Sequence, residues 1–532
     1  MKLYYAPSGK RMLPYPPVAP ALLAASLRKE GVVARVIDLE IEAWLRDQLQ
    51  GFWPTNRDIL HPYRIIGEDG WSAELEEFAC DLLDIAEYNP GEPIGISTMG
   101  YEQLASTMIL VKKALCAGSR VILGGQFWTD STAQKVLEII RDTRLTIVTS
   151  DGYESIVEWH RGDSLPINAL SWNGDTVAVG RRKAALTRAP TPEYPDCNWY
   201  GYDRYASKLM GATDSVRRAH LYVWDKQCPY KCTFCRVSAG SNVKLGAPEG
   251  VAEAMSDLLS LGVKQLNFMT NEINPTLSYM RRFVKALSPS LENKEDVSWF
   301  SYMRPDFAAP SDFADLRRVG CRLLRYGVET GSQRLSDLMR KDYKIPIIEE
   351  TLKNASDAGI WNHVNFLIGF PGEVEEDIEQ TLEFIDRVAP YLHSVRLNPF
   401  YLPPDSPMAR EPEKSGVRLL EFKNGFWDFE LLDGTRDEPA TIEGRLNRIS
   451  ERVKSYGIGF AGVLPFETLD FLARYENRDN AIVEMQRERP YMWESSSADW
   501  LKGQLGAYEA PIEWKATIYK RGKNYSLALC ND

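Results

Sequence analysis

The chain has 532 residues, 44% hydrophobic and 26% charged, with a formal net charge of -11. Such a composition describes a globular protein of about two to four domains. The acidic balance disfavours an extended nucleic-acid-binding surface. No apolar run reaches the roughly 18 residues that a membrane span needs. MKLYYAPSGK reads as a strand meeting a turn rather than an export signal, so the expected location is cytoplasmic.

Residues 1–160 alternate strand-like and helix-like segments. KLYYAPS is a first strand, and VAPALLAASLRKEG is an amphipathic helix ended by a glycine stop signal. VARVIDL, PIGISTM, RVILGG and LTIVTS supply four more strands. Helices follow at YEQLASTMILVKKALCAG and DSTAQKVLEIIRD, the series ends at DGYESIVEW, and an acidic, Trp-containing insertion covers 41–92. This pattern predicts an α/β, doubly wound, Rossmann-like domain, whose ligands sit at the carboxyl ends of the strands. Those ends carry Ser97, Thr98, Gly124, Gly125 and Gly152, small residues that let a large flat ligand approach. Ordinary tight turns account for them equally well.

Residues 161–213 read as a connector, with the polar strands of INALSWNGDTVAVG and the Pro-rich run APTPEYPDC. A second α/β series occupies 214–410. Its strands are HLYVWD, QLNFMT, SWFSYM, RLLRYGVE, NHVNFLIG and SVRLNPFYL, with helices between them. Six β/α units predict a partial (β/α)6 barrel with a lateral opening and its chemistry at the C-terminal strand ends. Residues 411–532 are mixed and aromatic-rich, a C-terminal region expected to shape the substrate pocket.

Three of the eight cysteines, Cys228, Cys232 and Cys235, fall in WDKQCPYKCTFCRVS after the first barrel strand. Clustered thiols without an export signal point to metal or redox chemistry. Three thiolates can hold three irons of a 4Fe-4S cluster and leave the fourth open to a small molecule. The rival is structural zinc, which needs a fourth ligand, His220 being the nearby candidate. Cys80, Cys116 and Cys321 lie in apolar contexts and are expected as small core residues. Cys530 by itself cannot hold an auxiliary cluster.

The C-x3-C-x2-C spacing, with Phe234 before the last cysteine, resembles the radical SAM enzymes. YGVETGSQRLSDLMRK looks like that family's fourth-strand motif, which implies that Glu329 contacts the ribose of S-adenosyl-L-methionine (SAM). FLIGFPGEVEEDI looks like the fifth-strand motif, which implies that the backbone at Gly369 and Pro371 lies along the adenine. Arg304 in SYMRPD falls where many relatives place a polar SAM contact. FMTNEINP departs from the acidic pair and Phe of many relatives, so Asn271 and Glu272 would shape a different amino-group or substrate contact.

The first 160 residues resemble the cobalamin-binding domain of class B radical SAM enzymes, although DGYE only partly matches the usual Gly-Glu-Gly-Glu. No D-x-H-x-x-G is present, so cobalamin would bind without a histidine from that motif. A relic domain that no longer binds it is the alternative. The methylthiotransferase branch has three N-terminal cysteines, where this chain offers only Cys80 and Cys116. The resemblance implies cleavage of SAM to a 5′-deoxyadenosyl radical, with electrons from a flavodoxin or ferredoxin. It further implies methylation of an unactivated carbon of a small-molecule or peptide substrate in a biosynthetic pathway. A non-methylating radical enzyme (cyclisation, ring contraction or redox rearrangement) and a non-catalytic cobalamin or cluster sensor are the alternatives.

Overall fold

The computed structural model describes residues 1–460 apart from 9–14, 55–59, 61–64, 66–70, 163–164, 182–191, 211–215, 223–224, 227, 238–243, 292–293, 307–308, 405 and 424–425. Beyond 460 it describes 468–469, 472 and 484, and the backbone of 515–521 and 524–530. The chain divides into two compact units, 1–222 with 518–526, and 223–517 with 527–532.

In the first unit, β1 (Lys2–Tyr5), α1 (Val18–Lys29), β2 (Arg35–Asp38), α2 (Leu39–Gln50), α3 (Ala73–Ile85), β3 (Ile94–Ser97), α4 (Leu104–Cys116), β4 (Val121–Gly124), α5 (Asp130–Ile140), β5 (Leu145–Val148) and α6 (Tyr153–Arg161) follow one another. The five strands are parallel, in the order β2-β1-β3-β4-β5. IGIS and LTIV are buried along their whole length, as strands covered on both faces must be. The expected doubly wound sheet is therefore present.

The stretch read as a connector is part of this unit. β6 (Ala169–Trp172) and β7 (Val177–Val179) add to β5 as an antiparallel pair, and α7 (Trp199–Met210) and β8 (Arg217–Tyr222) follow. An edge hairpin needs only one apolar face, which is why its sequence reads as polar. The expected burial of Cys80 and Cys116 is also corrected, because both are exposed. In α3 the buried stripe is Leu75, Phe78, Ala79 and Leu82, and Cys80 lies outside it. Cys116 ends α4 on the outward side with Lys112 and Lys113. Cys321 is buried, as expected.

The second unit begins with β9 (Asp225–Lys226) and β10 (Lys244–Leu245), an antiparallel pair that closes the segment containing the three cysteines. Then come α8 (Pro248–Ser260), β11 (Val263–Met269), α9 (Leu277–Leu291), β12 (Ser298–Met303), α10 (Pro310–Arg318), β13 (Cys321–Glu329), α11 (Gln333–Leu338), α12 (Ile345–Asp357), β14 (Trp361–Ile368), α13 (Glu375–Val388) and β15 (Ser394–Pro399). The C-terminal portion adds α14 (Pro407–Arg410), the hairpin β16 (Val417–Lys423) and β17 (Phe426–Leu431), α15 (Pro439–Ser455) and β18 (Gly459–Phe460). The barrel strands run parallel in the order β18-β15-β14-β13-β12-β11. Residues 459–460 thus extend the barrel beyond the strands expected from sequence. Lastly, β19 (Lys515–Arg521) and β20 (Asn524–Cys530) pair as a ribbon; the Cys530 side chain lies outside the described residues.

Between sheet and helices sit Phe268, Phe283 and Trp299, all fully buried, with ring centroids 4.7 to 6.3 Å apart and edge-to-face geometry. The turn after β13 carries a glycine for lack of space. A Cβ at Gly331 would stand 2.5 Å from Cβ of Phe384 and 2.7 Å from Cα of Thr381, both on α13. Gly331→Ala should therefore destabilise the protein by about 2 kcal/mol through overpacking, measured by chemical denaturation.

Candidate active site

The cysteine segment is stapled into the second unit by its backbone. The amide of Cys228 donates to Val237 O at 3.0 Å, and that of Thr233 to Met339 O at 3.0 Å. The carbonyl of Thr233 accepts from the amide of Met408 at 2.9 Å. Cys232 is buried, Cys228 and Cys235 half-buried. The Cys228 thiol lies 3.4 Å from both carboxylate oxygens of Glu272. Burial first, then this carboxylate, pushes the thiol well above its ordinary range. Among the described residues no three His, Cys, Asp or Glu side chains gather around one ion position. Single-ion zinc needs its ligands around one point, whereas in a cluster each thiolate takes a different iron. His220, the potential fourth zinc ligand, is buried in the first unit against the Tyr15 ring, 4.1 Å between centroids.

Arg304, at the end of β12, anchors this segment from beneath. Its guanidinium lies 3.4 Å from the Tyr230 ring centroid, between the first and second cysteines. The same group binds Asp306 at 2.6 Å and donates to Lys341 O at 2.7 Å. Its backbone exchanges hydrogen bonds with Asn274 at 2.8 and 2.9 Å. The departing segment after β11, with Asn271 and Glu272, therefore ties two strand ends together. The Nε and Nη2 of Arg304 are thus engaged within the protein, as an anchor of the loop.

At the end of β13 the pairing with β14 shifts register between Gly327 and Glu329, and Glu329 has a positive φ of 69°. A bulge of this kind re-aims a side chain. Here the carboxylate meets the buried Lys341 ammonium at 3.4 Å. Burial raises the Glu329 carboxyl above its ordinary value, and Lys341 pulls it back. Burial opposes the charge of Lys341, but its surroundings, the Glu329 carboxylate among them, raise the lysine above its ordinary value and hold it protonated.

The end of β14 comes to the same place. Gly369 has φ 83°, and its amide donates to Glu373 Oε2 at 2.7 Å. Phe370 is buried between Phe234 of the cysteine segment and Phe400, with centroids 6.2 and 5.2 Å away. One apolar cluster thus joins the first-strand and fifth-strand loops. Lys341 lies 5.7 Å from the centroid of the Phe234 ring.

Residues 225–385 match the model of the radical SAM superfamily. The chain carries a radical SAM domain. It is 28% identical over 246 residues to a tRNA-2-methylthio-N(6)-dimethylallyladenosine synthase of Dichelobacter nodosus, covering 42% of this chain and 53% of that one. It is 28% identical over 167 residues to an uncharacterized methyltransferase of Pyrococcus horikoshii, covering 30% and 35%. The chain spans about half or less of the length of these curated relatives. Among solved structures it is similar to the cobalamin-dependent SAM radical enzyme OxsB with aqua-cobalamin and SAM bound. The TM-score is 0.62 at 14% identity, over 95% of this chain and 75% of that one. The radical SAM methyltransferase TsrM from Kitasatospora setae, with tryptophan substrate and a SAM analog bound, gives 0.54 at 15% identity, over 80% and 79%. The fold is that of the cobalamin-dependent radical SAM enzymes.

In the first unit, Ser97 and Gly124 are register partners at the ends of β3 and β4. The buried Ser97 hydroxyl has no hydrogen-bond partner among the described residues, and a Cβ on Gly124 would meet nothing within 4 Å. An orphaned donor beside open space fits a ligand at these strand ends. Gly125 is a different case: at φ 112° its Cβ would lie 2.2 Å from Thr98 O, so close packing accounts for it. Thr98 is engaged with Gly124 O and Thr107, and Gly152 caps α6.

Lys341 escaped the sequence reading, because in LMRKDYK nothing separates it from its exposed neighbours. It is the counter-charge of Glu329, so Lys341→Met strands a buried carboxylate. That variant should be less stable by about 3 kcal/mol at pH 8. A carboxyl raised above its unfolded value costs stability progressively as pH climbs from the unfolded value to the folded one. The deficit should therefore shrink towards about pH 5, as read by denaturation at each pH.

Proposed function

We propose that this chain is a cobalamin-dependent radical SAM enzyme that methylates an unactivated carbon of a small-molecule or peptide substrate in a biosynthetic pathway. The observation that carries the reading is the convergence, within one barrel, of Phe234 from the cysteine segment, Glu329 with Lys341, and the Gly369–Pro371 loop. When bound, the cluster supplies the electron that cleaves SAM, and cobalamin supplies a methyl carrier. Cys228, Cys232 and Cys235 would hold the cluster. Glu329 offers an acceptor for ribose hydroxyls, Lys341 a cation for the SAM carboxylate, and the Gly369 turn a flat backbone surface for adenine. Phe234 and Phe370 keep water from this side of the site, where electrostatic contacts are correspondingly stronger. Ser97 and Gly124 would receive the corrin, with Thr98, Gly125 and Gly152 shaping the strand ends around it. A flavodoxin or ferredoxin is the electron donor consistent with this chemistry.

The resemblance to methylthiotransferases is weaker at the N-terminal cysteines, since Cys80 and Cys116 are exposed on α3 and α4 and Cys197 is half-buried beside α7. A non-methylating radical outcome is the second reading. It is favoured by the larger TM-score to OxsB, which is described as a radical enzyme rather than a methyltransferase. Among the described residues no helix is long and apolar enough to cross a membrane.

Anaerobic reconstitution should give about four irons per chain, lost in Cys232→Ala. Gly124→Trp should abolish cobalamin retention and leave the iron content intact. Turnover should yield S-adenosylhomocysteine and 5′-deoxyadenosine in near-equal amounts, with a product heavier by one CH2. Formation of 5′-deoxyadenosine alone, with no carbon gained, would establish the non-methylating reading instead.

A further inference from the structure

The loop after β14 is held from outside the barrel by α15, a helix beyond the region matched by the family model. Ile442 and Arg445, one helical turn apart, both face it. A Cβ on Gly369 would stand 3.0 Å from Ile442 Cδ1, so the helix lies directly against the turn. Arg445 is only 6% exposed and makes three ion pairs: Glu373 at 3.2 Å, Glu375 at 2.7 Å and Asp437 at 2.6 Å. Glu373 is the carboxylate that accepts the Gly369 amide. A continuous chain of contacts therefore runs from the guanidinium of α15, through one buried carboxylate, to the backbone of the turn.

Further along, α15 is laced to α13 by Arg448 to Glu375 and Glu379, and by Arg452 and Tyr456 to Asp386. These later pairs are exposed and contribute little each. Arg445 differs because its partner is buried and bonded to the loop itself.

We propose that Arg445 is a positioning residue for SAM: through its ion pair with Glu373 it holds the Gly369–Gly372 turn in the shape that receives the nucleoside. This rests on the reading of that turn as the adenine surface. Burial raises the Glu373 carboxyl to about 7, against the lowering effects of the Gly369 amide and Arg445. Asp437 and Asp377 raise it further, and Arg334, which is paired with Asp377 and donates to Gly372 O at 2.8 Å, faces it as well. Without the guanidinium, Glu373 takes up a proton at higher pH, and the amide loses its charged acceptor. SAM affinity then falls as pH falls, and the fall sets in at higher pH than in the parent.

The test uses the full chain with its cluster reconstituted, in Arg445→Gln, Arg445→Lys and Arg448→Gln forms. SAM binding is measured by anaerobic equilibrium dialysis from pH 6 to 9, and hydrogen exchange of the Gly369, Phe370 and Gly372 amides at one pH. Arg445→Gln should weaken SAM by about tenfold at neutral pH and speed loop exchange. Arg445→Lys should restore most of both, and Arg448→Gln should match the parent. Unchanged exchange and affinity in Arg445→Gln would overturn the positioning role. Faster exchange with unchanged SAM affinity would show that Arg445 holds the turn but that the turn is not the adenine surface. Equal losses in Arg448→Gln would reduce the effect to helix docking and overturn the proposal too. Should Arg445→Gln fail to fold, Asp437→Asn decides: it removes a raising charge beside Glu373, so the pH at which affinity falls must drop. No such shift would refute it.

Discussion

A carboxylate buried at a strand end must be compensated, and the open end of this barrel is organised around that requirement at Glu329. The bulge between Gly327 and Glu329 turns the side chain inward, into low dielectric, where an unpaired charge is costly. Lys341 returns from the end of α11 to meet it. The same return passes the Lys341 carbonyl to Arg304, whose guanidinium then lies on Tyr230 within the cysteine segment. A single compensated charge thereby links the ends of β12 and β13 to the loop that carries the thiols.

The apolar side of the same region is built differently. Phe234, Phe370 and Phe400 interlock, and the cluster continues to Phe429 in the β16–β17 hairpin, 5.5 Å from Phe400. The β16–β17 hairpin is therefore a structural member of the barrel's open end. β18 adds a strand next to β15, and α15 packs on α13. The C-terminal region thus supports the site from the side of the fifth strand.

The first unit supplies a surface rather than a cluster of charges. Its inner parallel strands β3 and β5 are buried on both faces, which leaves their carboxyl ends available to a ligand. At these ends Gly124 leaves space and Ser97 leaves a hydroxyl, while Gly125 is consumed by packing on Thr98. Glycines adjacent in sequence therefore do different work.

Local pattern determined what depends on periodicity and spacing. The parallel strands of the first unit, the β/α alternation of the second and the clustering of Cys228, Cys232 and Cys235 could all be read directly. Glu329 and Gly369 could be picked out because short motifs surround them. Tertiary structure alone decided the rest. The fate of 161–213 depended on an edge of β5 being available, which no local signal reports. The exposure of Cys80 and Cys116 followed from which stripe of each helix met the core, where both positions lie one residue off. Lys341, Glu373 and Arg445 are ordinary charged residues in sequence. They become parts of the site only because burial makes each charge require a partner, and because the fold brings that partner from up to 72 residues away.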